Sequence, residues 1–139
     1  MHEGSIIIRF PADVREIERL NQLVRRFGEL HEIPSRALYA VNLALDEVVT
    51  NVVRYGFEIS AGQEVAVRVE TTGDDLHSEV VDAGREFNPL DAPLPDLTAA
   101  LEERALGGLG IHLVRSLMDR VEYRRENAKN VLTMRKRIR

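Results

Sequence analysis

The sequence predicts an α+β fold in which helices cover one face of a mixed, largely antiparallel sheet, as a two-layer α/β sandwich. Segments with the alternating apolar pattern of strands interchange with segments of helical periodicity. Short turns separate most of the strands, which favours antiparallel pairing. The elements follow one another as strand, helix, helix, strand, strand, helix, strand, strand, without a linker. We therefore expect a single domain over residues 1–139.

The first half of the chain supplies one strand and two helices. Residues 5–10 are apolar and rich in β-branched side chains, so we expect a strand there. Asp13, with Glu16 three residues later, resembles a capping box and predicts a helix start. Pro34 suits the first turn of a second helix, and apolar residues then repeat at spacings of three and four along residues 38–52. This stripe predicts that the second helix packs on the sheet.

The second half alternates strands with one helix. The expected bounds are 64–70 and 76–81 for one strand pair, 110–118 for the helix, and 121–125 and 130–138 for a final hairpin. Asp74 and Asp75 mark the turn of the first pair. Residues 90–106 form a long connection that contains Pro93 and Pro95. Connections of this length are usually lids or disordered, and we expect a lid over about residues 90–106.

Composition narrows the functional classes. The 139 residues carry a net charge of −4 and no cysteine, which excludes disulfides and thiolate metal sites. The four histidines show no metal-ligand spacing, and we find neither a signal peptide nor an apolar run long enough to span a membrane, so we expect a cytoplasmic protein with no membrane partner. Residues 120–139 hold eight basic and two acidic side chains. An edge strand protected by charge explains this excess better than direct nucleic-acid binding, although the second reading stays open.

A pair of polar residues on the second helix is the first candidate for chemistry. Glu47 and Asn51 lie four residues apart, so their side chains share one face of that helix. The amide oxygen of Asn51 suits one position on an octahedral Mg²⁺ ion, and Glu47 can accept a proton from a hydroxyl group. Taken alone, this pair also fits a polar surface that keeps the helix soluble.

The second candidate begins where a strand ends. Asp82 can accept a hydrogen bond from the exocyclic amine of adenine, and Gly84 permits close approach of the backbone to a ligand. Phe87 and Pro89 would form a wall of such a pocket or turn the chain away from the sheet. An ordinary Asp-Gly turn explains the same residues if nothing else joins them.

The third candidate is the glycine-rich stretch Gly107-Gly108-Leu109-Gly110, which opens the last helix. Glycines let backbone amides turn towards a ligand, and a helix start favours anions such as phosphates. No Gly-Lys-Ser/Thr occurs, so this is not a phosphate loop of the Walker type. A flexible loop without a ligand is the alternative. Only the three candidates together indicate a nucleotide pocket.

These motifs resemble those of the GHKL ATPase superfamily, and the chain from about residue 5 to 138 is similar to its small anti-sigma-factor serine/threonine kinases of bacterial partner-switching systems. The segment 47–51 resembles the first box, 82–89 the second and 107–114 the third. The sequence around Asp46, Glu47 and Asn51 is close to the pattern of the anti-sigma kinases. Other GHKL groups carry transducer or phosphoacceptor domains that 139 residues do not accommodate.

The resemblance implies ATP and Mg²⁺ as cofactors, with Asn51 as the metal ligand and Asp82 at adenine. Glu47 would be the catalytic base that activates a serine or threonine of an anti-anti-sigma antagonist protein. The partners implied are that antagonist, a sigma factor or analogous regulator, and a second copy in a homodimer. The implied nucleotide-binding residues are Asn51, Tyr55, Asp82, Gly84, Phe87, Arg104, Gly107, Gly108, Leu109, Gly110, Ile111 and Thr133.

Two departures from the family pattern keep a second function open. Tyr55 stands where many relatives have histidine, and Leu106 stands where kinase members tend to have an arginine aimed at the terminal phosphate. Arg104 lies two residues earlier and is the expected substitute. The alternative to a kinase is a nucleotide-binding regulatory module that sequesters a partner without phosphoryl transfer.

Overall fold

The computed structural model describes residues 4–56, 63–91 and 108–139. Five strands form one sheet in the order β1-β2-β3-β5-β4, with β3 in the centre. The bounds are Gly4–Pro11 for β1, Glu64–Thr72 for β2, Asp75–Asp82 for β3, Arg120–Glu126 for β4 and Lys129–Arg137 for β5. The helices are α1 (Ile17–Leu30), α2 (Ser35–Asn51) and α3 (Gly108–Leu117).

The two-layer α+β prediction is confirmed, with one correction to the sheet. Each pair of neighbouring strands in the described part of the chain is antiparallel, so the sheet is not mixed there. Apolar residues from α1, α2 and α3 share one core with residues from β1, β2, β3 and β5. The apolar side chains of β4 are partly buried and pack against the edge of this core. Val65, Val67 and Val69 on β2 are fully buried, which confirms the predicted alternation.

The start of α1 differs in detail from the predicted capping box. Asp13 has extended backbone geometry, and its Oδ1 accepts a hydrogen bond from the backbone N–H of Arg15 at 2.9 Å. The Arg15 guanidinium also donates to the Asp13 carboxylate, with Nη2 2.6 Å from Oδ2. A 3-10 turn over Val14–Glu16 therefore precedes the helix proper. The carboxylate satisfies a free backbone donor as expected, but one residue earlier in the turn than predicted.

Both hairpin turns use residues with left-handed backbone geometry. The β2–β3 turn lies at Gly73 (φ 55°) and Asp74, one residue before the predicted Asp74–Asp75 pair. Glycine adopts this geometry without steric cost, which explains the shift. The β4–β5 turn uses Asn127 (φ 53°) and Ala128 (φ 60°), the two positive φ values that a type I′ hairpin turn requires. Neither turn joins β3 to β5, and the separate register of that pair places Asp82 of β3 opposite Asn130 of β5.

No helix in the three described stretches combines the length and apolarity needed to cross a membrane.

Candidate functional site

All three predicted motifs contribute to one pocket beside the centre of the sheet. Asn51 comes from the end of α2, Asp82 and Phe87 from the end of β3 and the loop that follows, and Ile111 from the first turns of α3. The remaining lining residues are Val48, Val52, Val80, Pro89, Tyr123, Asn130 and Leu132. The pocket therefore has apolar walls and a few polar groups.

Asp82 is the buried carboxylate of this pocket. Its side chain lies at the last residue of the central strand, with only 4% of the residue exposed. Oδ1 accepts hydrogen bonds from the Gly84 backbone N–H at 2.9 Å and from Nδ2 of Asn130 at 3.0 Å. None of the described residues donates a bond to Oδ2. Burial raises the pKa of Asp82, while the bonds from Asn130 and Gly84 and the nearby charge of Arg125 oppose that rise.

Asn130 holds the loop after β3 in place. It is 6% exposed, and its Nδ2 donates to Asp82 Oδ1 and, at 2.8 Å, to the Arg85 carbonyl. Its Oδ1 accepts from the Phe87 backbone N–H at 3.2 Å. One amide thus joins the carboxylate to two points of the following loop. Such a network favours this one arrangement of the loop over others, because each lost hydrogen bond would leave a buried polar group unpaired.

Two residues of β4 complete this network. The Tyr123 hydroxyl donates to Asn130 Oδ1 at 2.6 Å, and Nη1 of Arg125 donates to the same oxygen at 3.1 Å. Arg125 also donates to the Gly84 carbonyl at 2.9 Å. Burial raises the pKa of the Tyr123 hydroxyl, and the charge of Glu86 adds to the rise, so Tyr123 stays a donor at neutral pH. We refer to Asp82, Tyr123, Arg125 and Asn130 as the carboxylate network.

Sequence reasoning missed Asn130, Tyr123 and Arg125 as parts of the site. Asn130 lies 48 positions from Asp82, and no local motif joins them. One signal was present. In the predicted strand 130–138, alternate positions carry Leu132, Met134 and Ile138, which are buried, so Asn130 is a polar residue on the inward face. A buried polar residue in that pattern indicates a specific partner.

Asn51 lines another part of the pocket, and Glu47 lies beside it on α2 without lining the pocket. Asn51 is the last residue of α2 and is 9% exposed, and a π-helical turn over Val52–Gly56 follows it. Glu47 lies one turn earlier and is half-buried. No hydrogen bond joins either side chain to another residue within 4–56, 63–91 or 108–139. Tyr55 lies in the π-helical turn, and its side chain is outside the description.

The Glu47 carboxylate lies directly against Gly110 of α3. A β carbon placed on Gly110 would come within 2.5 Å of Glu47 Oε2 and 3.5 Å of its Cδ. Real β-carbon contacts are essentially never shorter than 3.0 Å, so only glycine leaves this space. The first and third motifs are therefore in van der Waals contact. The helix begins at Gly108, two residues before the predicted start at residue 110.

Some predicted site residues are not part of this pocket. Thr133 pairs with Glu79 of β3 and faces the opposite side of the sheet, where it lines a separate surface groove with Arg68 and His77. The prediction that Thr133 lies near the base is therefore wrong, because strand alternation gives the inward position to Leu132. Arg104 and Gly107 lie outside the described residues. Gly108 and Leu109 are helical in backbone, with Leu109's side chain outside the description.

The sequence model for the histidine kinase-like ATPase domain matches residues 10–136. The chain belongs to this family. The three motifs and the residues that line the pocket lie inside the matched range. ATP is the nucleotide that membership in this family implies.

Two curated relatives of this ATPase domain are named protein kinases. The chain is 26% identical over 100 residues to the serine/threonine-protein kinase BtrW of Bordetella bronchiseptica, which covers 72% of this chain and 70% of BtrW. It is 32% identical over 109 residues to the serine-protein kinase RsbW of Bacillus pumilus, which covers 74% of this chain and 65% of RsbW. The similarity thus spans about two thirds of each kinase.

A solved structure supports the fold. The crystal structure of the RsbU and RsbW domains of Rv1364c from Mycobacterium tuberculosis superimposes with a TM-score of 0.71 at 14% identity. The match covers 97% of this chain and 32% of the mycobacterial chain. At this identity the comparison concerns the fold alone, and it agrees with the histidine kinase-like ATPase domain.

The residues around Asn51 fit a magnesium ion that is held mainly by substrate phosphates and water. Asn51 lines the pocket with a nearly buried amide that no described residue engages. Within the described residues, no three His, Cys, Asp or Glu side chains gather into a metal cluster. Mg²⁺ commonly keeps several waters and binds one or two protein oxygens plus substrate phosphates, so a single amide oxygen is sufficient on the protein side.

Proposed function

We propose that this chain is an ATP-dependent serine/threonine kinase that phosphorylates a small anti-anti-sigma antagonist protein. One observation carries the proposal: Asn51, Asp82 and Ile111, which come from three separate motifs, line a single pocket. In addition, Glu47 of the first motif lies against Gly110 of the third. Residues 1–139 would form one ATPase domain, acting in the cytoplasm, where ATP and sigma factors are found.

Asp82 would select adenine. Its Oδ1 is engaged by Gly84 and Asn130, which leaves Oδ2 as the acceptor for the exocyclic amine of the base. Phe87 and Ile111 supply apolar surface for the ring. A buried acceptor that requires a donor discriminates strongly against a base without one, because the mismatch leaves a buried polar group unpaired.

Asn51 would hold Mg²⁺ near the phosphates, and the metal would neutralise charge on the transferring phosphoryl group. Glu47 would accept the proton of the attacking serine or threonine hydroxyl as its oxygen bonds to the terminal phosphorus and ADP leaves. The first turn of α3, with unpaired backbone N–H groups, would face the phosphates. Phosphoryl transfer needs mainly positioning and charge neutralisation, which these groups supply.

The proposed partners follow from the relatives. Both BtrW and RsbW are named as kinases of serine or of serine and threonine, which supports a protein hydroxyl as acceptor. We propose that the phosphorylated antagonist binds less tightly and that the kinase then binds a sigma factor or an analogous regulator instead. A homodimer is part of the same proposal.

A second candidate is a nucleotide-loaded regulator that sequesters its partner without phosphoryl transfer. Leu106 favours it, because kinase members of the family tend to have an arginine at this position. Glu47 favours the kinase, because a module that only binds needs no general base beside the phosphates.

Incubation with γ-labelled ATP, Mg²⁺ and a purified candidate anti-anti-sigma antagonist protein separates the two. We expect label on the antagonist with the wild type and none with Asp82→Asn, which serves as the nucleotide-binding control. If ATP binds and the antagonist stays unlabelled, the sequestering module is correct. If ATP does not bind, both candidates fail.

A further inference from the structure

We propose that Gly110 is a positioning residue for Glu47, with the missing side chain of Gly110 forming the space that the Glu47 carboxylate occupies. The inference deepens the proposed function, because it assigns a role to a glycine beside the group expected to take the proton. In this role Gly110 acts through shape. This role is separate from any contact that the backbone N–H of Gly110 would make with the phosphates.

The geometry is specific to one atom. The position of a β carbon on Gly110 is 2.5 Å from Glu47 Oε2, 3.5 Å from Cδ and 3.9 Å from the Glu47 β carbon. The terminal oxygen is thus the only Glu47 atom that an added methyl group would displace outright. The backbone of α2 lies further away, so the helices would not have to separate.

Nothing else in the described residues fixes this carboxylate. No ion pair or hydrogen bond from residues 4–56, 63–91 or 108–139 involves the Glu47 side chain. Contact with the first turns of α3 is therefore the main restraint on Oε2 in that part of the chain. Displacement by an added methyl group would move the carboxylate by roughly an ångström, and misplacements of this size cost catalysis about 100-fold.

The expected kinetic effect of Gly110→Ala is selective. Phosphoryl transfer to the antagonist should fall by about 100-fold, whereas the Kd for ATP should change by less than about threefold. The readout is single-turnover transfer at saturating ATP, with affinity measured separately by fluorescent-nucleotide titration. Unchanged transfer with Gly110→Ala would overturn the proposal, and so would an equal loss of affinity and transfer.

Gly28 supplies a matched control. It is also a helical glycine, and a β carbon there would lie 2.5 Å from Cδ1 of Leu38, again the end of a flexible side chain. That collision lies between α1 and the start of α2, away from Glu47. Gly28→Ala should lower the melting temperature while transfer by the folded protein stays at the wild-type rate. Loss of transfer in Gly28→Ala as large as in Gly110→Ala would show that any helix collision has the same effect.

A thermal double-mutant cycle tests the contact without using kinase activity. Alanine is the better helix former, so Gly110→Ala in a Glu47→Ala background should raise the melting temperature by about 3 °C. In the wild-type background that gain should be smaller, because the Glu47 carboxylate must leave the position that the added methyl group takes. A variant that folds only when Glu47 is also alanine would show the same coupling. Equal shifts in both backgrounds, or failure of both to fold, would contradict the inference even if the wild type proves to be no kinase.

Discussion

The two ends of the pocket are built in different ways. At the base end, where we propose that adenine binds, the carboxylate network gives Asp82, Asn130, Tyr123 and Arg125 at least one hydrogen bond each, and Asn130 alone takes part in five. At the phosphate end, where we propose that Asn51 and Glu47 meet Mg²⁺ and the terminal phosphate, these two residues make no side-chain hydrogen bonds within the described residues. Asn51 is followed by a π-helical turn, and Glu47 rests on a glycine.

This difference indicates a division of tasks. A saturated network keeps one acceptor, Oδ2 of Asp82, in a fixed place, which suits recognition of a rigid base. Side chains without internal partners remain available to a metal ion, to phosphate groups and to a substrate hydroxyl. Substitutions at the base end should therefore affect stability and affinity together, whereas those at the phosphate end should affect the reaction with little loss of stability.

The largest effect is expected at the phosphate end, with Glu47→Ala. General bases contribute about 10²–10⁴-fold, so transfer to the antagonist should fall by about 10³-fold, and ATP should still bind. Single-turnover transfer and a nucleotide titration on the same preparation measure both. A fully active Glu47→Ala protein would remove Glu47 from the mechanism.

At the base end, Asp82→Asn should weaken ATP binding by about 100-fold or more without unfolding the protein. The asparagine oxygen can keep the bonds from Gly84 and Asn130, but an NH₂ donor replaces Oδ2 and opposes the adenine amine. Fluorescent-nucleotide titration gives the affinity, and circular dichroism checks the fold. Wild-type affinity would mean that the base binds elsewhere.

Two asparagines allow a direct comparison of the ends. Asn130→Ala leaves Asp82, Tyr123 and the Phe87 N–H without their partner, so we expect a loss of about 1–3 kcal/mol in the free energy of unfolding. Asn51→Ala should leave that free energy within about 0.5 kcal/mol of wild type and weaken only the Mg²⁺-dependent part of ATP binding. Urea denaturation and titrations with and without Mg²⁺ provide the data. Equal destabilisation by both substitutions would remove the contrast.

The smallest expected effect is a pH dependence at the base end. Because burial raises the pKa of Asp82 in the folded state, its ionised form costs stability above that raised pKa. The cost is relieved as the pH falls from the raised pKa towards the ordinary carboxyl value of about 3.9. The Asp82→Asn protein has no ionisable group at this position. Its free energy of unfolding minus that of wild type should therefore be greatest above the raised pKa and should decline as the pH falls. Denaturant curves of the two proteins across this range, without nucleotide, measure it, and a constant difference would contradict the assignment.

The sequence predicted most of the fold because the fold follows local periodicity. The alternation of Val65, Val67 and Val69 and the stripe of α2 are patterns within one element, and the structure confirms both. The pocket could be predicted only in part. Asn51, Asp82 and Ile111 occur in motifs, whereas Asn130 and Tyr123 enter through β-sheet register between distant strands.

Strand alternation could have prevented the error at Thr133. A shift of one residue along a strand changes the face on which a side chain lies. The alternation of Leu132 and Met134 already indicated the inward positions of β5, but Thr133 was assigned from the family resemblance instead. The contact between Glu47 and Gly110 was hidden in the sequence. It depends on how closely α2 and α3 approach, and a glycine in a motif gives no sign of which atom fills the space beside it.

The most direct test of the account is a crystal structure of the protein with Mg²⁺ and a non-hydrolysable ATP analogue. We predict that the adenine amine lies within hydrogen-bond distance of Asp82 Oδ2, that the ring packs against Ile111, and that Mg²⁺ contacts the Asn51 amide oxygen. Adenine bound away from Asp82, or a metal ion on another surface, would contradict the proposal that the three motifs form one ATP site.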